Sequence, residues 1–289
     1  MLAIFNKELK SYFNSAIGYI FLAVFLFICG IFFVLTNVLS SQPNADYSSV
    51  LSSITFVFLL LVPILTMKTF SEEMHQKTDQ LLLTAPVKLY EVVLGKYFAA
   101  VVLFLLALAI TCLYPLILSM FGSVAGWEVL GSYIGFALFG SSLIAVGIFI
   151  SSLTENQITA AVGTFGCVLI FWIMDWIEQS IPTTRTAGIV FAVIVALIIA
   201  FIIYNATHNA YMSGIVLLAE GIAILVIYLS KKTLFEGFTT KFLSWFSLLS
   251  RYNNFSLGIL DVSSIVYYIT FSAAFVFLTI RVIDKRRWS

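Results

Sequence analysis

Two stretches of this chain run for the length of a membrane crossing without one charged residue, Tyr47 to Met67 and Tyr97 to Trp127. A helix rises about 1.5 Å per residue, so roughly 20 apolar residues span the ~30 Å hydrocarbon core of a bilayer. Between the two runs, residues 68–96 hold eight charged side chains: Lys68, Glu72, Glu73, Lys77, Asp79, Lys88, Glu91 and Lys96. Charged residues make up 10% of the whole chain, against about 25% in soluble domains. The pattern describes a polytopic membrane protein with one concentrated polar device. A net charge of +1 supplies no basic field for nucleic acid. Cys29, Cys112 and Cys167 stand isolated in apolar runs, with no spacing that suggests a disulfide or a metal site.

Residues 2–14 read as an amphipathic helix. Leu2, Phe5, Leu9 and Tyr12/Phe13 recur on one side, with Asn6, Lys7, Lys10 and Asn14 on the other; such a helix lies along a membrane surface. The apolar run that follows is too long for a signal-peptide core, so no cleavable signal is expected. Spans are predicted over 16–38, 51–67, 97–121, 129–152, 158–177, 187–205, 211–229 and 262–280. The expected fold is therefore all-α and polytopic, one membrane domain over 1–289 with about eight transmembrane helices. Residues 231–259 mix Lys231, Lys232, Glu236, Lys241 and Arg251 with Phe, Leu and Trp, which suits an interfacial, extracytoplasmic segment.

Eight spans put both termini on one side. That side then carries Lys7, Lys10, Lys68, Lys77, Lys88, Lys96, Arg281, Lys285, Arg286 and Arg287, ten of the 15 basic residues. By the positive-inside rule this predicts cytoplasmic termini and a cytoplasmic 68–96 segment. Within it, Thr69 and Glu72 have capping-box spacing. Leu81 to Leu83 form an apolar knob, and Pro86 punctuates before a second helix.

These features resemble the type-2 ABC exporter permeases. In that family an acidic pair ends the second span. A Gly-Thr-x-Glu-Leu-Leu-like stretch follows, then a proline, then an acid before Val-x-x-Gly-Lys-Tyr/Phe. Here the matching residues are Glu72-Glu73, Thr78-Asp79-Gln80-Leu81-Leu82, Pro86, Glu91 and Leu94-Gly95-Lys96-Tyr97. The chain departs at Lys77, where glycine is usual, and at Gln80, where glutamate is usual. The opening Lys7-Glu8-Leu9-Lys10-Ser11-Tyr12-Phe13 and the ending through Asp261, Tyr267-Tyr268 and Arg286-Arg287-Trp288 also resemble the family. The hairpin over 186–229, added to a six-helix core, is most similar to the gliding-motility-type permease branch.

The resemblance implies a permease dimer, of like or related copies, with two copies of a separate ABC ATPase that bind ATP and Mg. The segment between spans two and three would be the coupling helix, docking through Glu72, Glu73, Thr78, Leu81 and Leu82. Residues 1–15 would be an interfacial elbow, and the Glu155 turn, on the same side, a second contact. A multi-pass protein of the bacterial cytoplasmic membrane is implied, with room for an accessory membrane protein. The chain has no P-loop of its own: Gly95-Lys96 is followed by tyrosine, and position 90 is tyrosine where the motif needs glycine. No cofactor of its own and no enzymatic activity are expected.

Three acids stand apart from the device. Glu220 lies mid-way along the seventh predicted span, where a carboxylate is expensive and suggests either proton coupling or a hydrogen-bonded helix contact. Asp175 and Glu178, beside Trp172 and Trp176, suit an outer polar gate or an interfacial cap. Gly131 and Gly135 have the spacing of a close helix-packing motif. A secondary transporter centred on Glu220, and a scaffold that recruits an ATPase without moving substrate, are the alternative readings.

Overall fold

The computed structural model describes residues 1–39, 47–78, 88–181, 183–207, 210–230 and 236–288. Every regular element among them is helical. In chain order these are α1 (Leu2–Asn14), α2 (Ala16–Phe33), α3 (Ser48–Ser53), α4 (Phe58–Thr66), α5 (Ser71–His75), α6 (Leu89–Thr111), α7 (Leu113–Ser119), α8 (Gly126–Leu153), α9 (Gln157–Ser180), α10 (Arg185–Thr207), α11 (Ala210–Ser230), α12 (Phe238–Phe246), α13 (Leu248–Ser256) and α14 (Val262–Trp288). A π-helical turn, Val34–Val38, extends α2, and a 3₁₀ turn, Ile54–Val57, joins α3 to α4.

Seven segments among the described residues are long and apolar enough to cross a membrane: Ala16–Val38, Ser48–His75, Leu89–Ser119, Gly126–Leu153, Gln157–Glu178, Arg185–Asn205 and Val262–Arg286. The seventh expected span, 211–229, falls on α11, whose described apolar stretch, Tyr211–Ile222, is shorter. The predicted second span also extends further than expected, because α5 continues it to His75.

The chain divides into two compact units, residues 1–170 with 248–289, and residues 171–247. In the first unit α8 is the central helix. Its apolar window is 67% buried, against 22% for the first span, so most of α8 faces protein while α2 presents Tyr19, Ile20, Phe27 and Ile31 outward. Lipid tails are as apolar as leucine, so helices in a bilayer associate through shape and hydrogen bonds rather than by escape from water. The core shows both. Phe58 meets Phe136 and Phe104 with ring centroids 4.8 and 5.5 Å apart. Ser142 Oγ on α8 and Ser272 Oγ on α14 are in hydrogen-bond contact at 3.2 Å.

Helix α13 has the amphipathic composition expected of an interfacial segment, yet its apolar side is buried in the first unit. Leu248, Tyr252 and Phe255 are fully inaccessible. Gly131 and Gly135 make this possible, since a Cβ on Gly135 would lie 2.5 Å from Phe255 Cβ and one on Gly131 2.9 Å from the Phe255 carbonyl oxygen. The glycine pair is a seat for Phe255. Asp261 then starts α14, its carboxylate accepting from the Ser263 N–H at 3.0 Å and the Ser264 hydroxyl at 3.2 Å, the cap chemistry of a helix N-terminus.

In the second unit α10 and α11 pack against one another. Arg185 pairs with Glu236 at 2.7 Å, and the Gly237 N–H donates to the Thr183 carbonyl at 3.2 Å. Helix α12 is strongly amphipathic, burying Leu243 while Trp245 is exposed. The hairpin expected over 186–229 thus corresponds to α10 and α11, and Lys231 and Lys232 lie outside the described residues.

Candidate functional site

A lysine near the start of a membrane helix ordinarily snorkels to water. Lys96, two turns into α6, does the opposite: its side chain is 1% exposed. Its ammonium contacts two carboxylates from distant parts of the first unit, Glu8 on α1 at 3.1 Å and Glu73 on α5 at 3.0 Å. It also donates to the Thr69 carbonyl at 2.9 Å and lies 5.1 Å from the centre of the Phe70 ring. Glycine at 95 brings the helices close enough, because a Cβ there would meet Ile4 Cγ2 at 3.0 Å. One buried cation therefore joins the surface helix, the end of the second span and the start of the third.

The local structure of α5 explains how Glu73 is aimed. The expected capping box of Thr69 and Glu72 does not form, for the helix starts after Phe70 with no side-chain cap of its own. Ser151 Oγ, from the far end of α8, accepts the N–H groups of Phe70 and Ser71 at 3.1 and 3.2 Å. The helix ends in a Schellman closure: the Lys77 N–H donates to the Met74 carbonyl at 3.1 Å and the Thr78 N–H to the Glu73 carbonyl at 2.9 Å. This forces Lys77 to φ 56°, the left-handed conformation in which a β-carbon costs energy and glycine does not. Glycine is the residue the resemblance leads one to expect there. Lys77→Gly is expected to stabilise the protein by about 0.5–1 kcal/mol, seen as a higher thermal midpoint of the detergent-purified chain; a lower midpoint would refute the backbone account.

Around the clamp lies a polar cavity of about 440 Å³ lined by α1, by α5 and the residues flanking it, and by Lys96 of α6, with Lys7, Tyr12, Lys68, Glu72, Gln76 and Thr78 among its walls. Burial pushes the Tyr12 phenol up to about 12, so it stays a neutral donor to the Leu65 carbonyl, 3.2 Å away. Lys7, 65% exposed, reaches Glu73 at 3.6 Å and Glu8 at 3.8 Å; a pair so open to solvent contributes at most about 1 kcal/mol.

The two adjacent acids face different ways. Glu73 turns inward to Lys96, whereas Glu72 stays at the surface, with Lys68 Nζ at 3.7 Å and accepting from the Gln76 amide at 3.2 Å. His75, Gln76, Lys77 and Thr78 are exposed. Leu81 and Leu82, with the rest of 79–87, lie outside the described residues. The same end of the first unit gathers both termini. The N-terminal ammonium pairs with Glu91 at 3.0 Å, and Arg286 donates to the Leu153 carbonyl at 3.1 Å and lies 3.9 Å from Glu155. The Glu155 turn thus adjoins the C-terminal helix, with its own carboxylate 69% exposed.

The remaining candidate acids belong to the second unit. Asp175 is buried and accepts from the Ser247 hydroxyl at 3.1 Å. The rings of Trp172 and Trp176, from the same helix, meet at a tilt with centroids 4.9 Å apart. Glu178 Oε2 and Glu220 Oε2 are buried with no hydrogen-bond partner among the described residues. Among the described residues no group of three or more His, Cys, Asp or Glu side chains is placed to hold a metal ion.

Sequence reasoning singled out Glu73 but not its partners. Glu8 entered it only as part of a matching stretch, Lys96 only there and in the tally of charges, and Ser151 and the Arg286 contacts not at all. The one available signal was Lys96 itself, the last charge before 31 uncharged residues.

A family model described as ABC-2 family transporter protein matches residues 7–211, more than half of the chain. No curated protein matches the chain.

Proposed function

The chain belongs to the ABC-2 family of transporter proteins, and from that membership we propose that it is the permease of an ATP-driven exporter whose ATPase is a separate chain docking on the surface around α5. The observation that carries this reading is the Glu8–Lys96–Glu73 clamp. A docking surface can drive a membrane protein only if its displacement reaches the spans. Here the half-exposed Glu72 shares the short helix α5 with Glu73, the exposed Gln76 and Thr78 directly follow it, and Glu73 is tied through one buried ammonium to α1 and α6. A push on α5 moves three elements as a body, the kind of rigid-body step by which partner closure is transmitted.

In this reading Glu72, Thr78, Leu81 and Leu82 meet the ATPase, Glu73 holds α5 in place, and Glu155 adds a second contact. ATP and Mg are bound by two ATPase copies, and two permeases, identical or related, enclose the pathway. The docking end faces the cytoplasm of a bacterial cell, as the basic residues gathered there favour. The α10–α11 hairpin supports the gliding-motility-type branch.

The test is co-purification with the candidate ATPase in nanodiscs. Wild type is expected to hold the ATPase and support hydrolysis. Glu72→Arg/Leu82→Asp, which leaves the clamp intact, is expected to weaken binding about 30-fold or more, the effect of losing an interface anchor. Glu220→Gln is expected to leave hydrolysis within twofold; its loss would favour the proton-coupled alternative. Wild-type binding by the docking variant would overturn the reading.

A further inference from the structure

A second cavity, of about 510 Å³, lies in the first unit between α6, α8 and α14, away from the clamp. Leu94, Val101, Leu138, Val276 and Phe277 are among its walls. The hydroxyls that reach it are already satisfied by protein. Tyr97 donates to the Ser141 carbonyl at 3.4 Å, and Ser272 to the Tyr268 carbonyl at 2.9 Å. What the groove offers an occupant is hydrocarbon.

Its depth and its ends identify that occupant. Ile269 and Ile280 both line it, and eleven residues of helix rise about 16 Å, close to half of the ~30 Å hydrocarbon core. The groove is one leaflet deep. Leu94 near the start of α6 and Ile280 near the end of α14 mark its mouth, at the end of the unit where α1 lies. There Arg281 is exposed, its guanidinium 5.0 Å from the Phe277 ring, and Lys88 Nζ lies 5.8 Å from the Tyr90 ring. Cations with aromatic rings at the headgroup level are a membrane-interface arrangement. Apolar walls alone would not distinguish this groove from the bilayer around it. The cation at its mouth does.

We propose that the groove is a binding site for an anionic phospholipid of the leaflet on the α1 side, one acyl chain lying between α6 and α14 and the phosphate against Arg281. The site does not depend on how the ATPase docks, and the lipid is a resident rather than cargo. One basic side chain near a membrane surface favours an anionic lipid about fivefold.

The experiment uses the full chain in phosphatidylcholine nanodiscs doped with a phosphatidylglycerol carrying a mid-chain diazirine, or with the matching phosphatidylcholine probe. Irradiation and peptide mapping then locate the label. The glycerol probe is expected to label residues 94–101 and 269–280 about fivefold more than the choline probe. Arg281→Gln, a surface change that leaves the helices alone, is expected to abolish that preference. Ala273→Trp, which fills the groove from an exposed position, is expected to remove groove labelling by both probes. Equal labelling by the two probes in the wild type, or labelling as strong on the outward face of α2 around Phe27, would overturn the proposal. So would a protein adduct in place of lipid when native membranes carrying a diazirine at Ala273 are irradiated.

Discussion

Replacing Lys96 by methionine is expected to destabilise the protein by about 3–5 kcal/mol, the effect of removing one partner from a buried ion cluster. The substitution keeps the volume and removes the charge, leaving Glu8 and Glu73, with side chains 13% and 18% exposed, as neighbouring anions with little water. The same reasoning sets a control. Glu8→Gln/Lys96→Met/Glu73→Gln removes all three charges, and exchanging a whole buried ionic group for neutral residues is often close to neutral in stability. The triple variant is therefore expected to recover most of the loss in mixed-micelle unfolding. It should still fail to support partner-driven hydrolysis at the wild-type rate, because α5 is then held to α1 and α6 only by packing. A Lys96→Met variant within about 1 kcal/mol of wild type would mean that the clamp behaves as a surface pair.

Gly135→Leu is expected to cost about 3 kcal/mol or more, at the upper end of overpacking effects, because nothing larger than hydrogen fits where Phe255 lies 2.5 Å from an added Cβ. The obstacle is the root of a fully buried ring packed against Tyr268, not the free end of a flexible chain. A double-mutant cycle isolates it. Gly135→Ala alone should destabilise, and Phe255→Ala alone should cost about 3–5 kcal/mol through the cavity it leaves. Together they should cost less than their sum by about 1 kcal/mol or more, since the alanine methyl partly fills the space the ring vacates. Strict additivity would show that the two helices do not meet through this pair.

The spans were legible because a bilayer sets a length and forbids charge, and both constraints can be read along the chain. The amphipathic 2–14 segment was legible from its helical period, and α1 occupies it. The clamp was not. Glu8 and Lys96 are 88 residues apart, and no periodicity connects residues on different helices. Capping failed as a guide at Thr69 and Glu72 because Ser151, eighty residues on, satisfies the same N–H groups from outside. The reading of 231–259 as interfacial rested on composition, and composition cannot show which side of a helix is covered. Leu248, Tyr252 and Phe255 of α13 are buried, with Phe255 seated where the glycines of α8 leave room. Lys77 shows the converse: an apparent departure in sequence marks a real backbone requirement, met at a conformational cost.

The central claim is that an ATPase rests on α5, and the most direct measurement is a site-specific photocrosslink. A benzophenone amino acid at Gln76, exposed just past the end of α5, is compared with one at Trp127. Trp127 is 75% exposed at the opposite end of α8, about 39 Å of helix from Leu153. With the candidate ATPase present, Gln76 is expected to give a permease–ATPase adduct whose yield changes when ATP is added, and Trp127 none. Equal adducts from both positions, or adducts from Trp127 alone, would contradict the account.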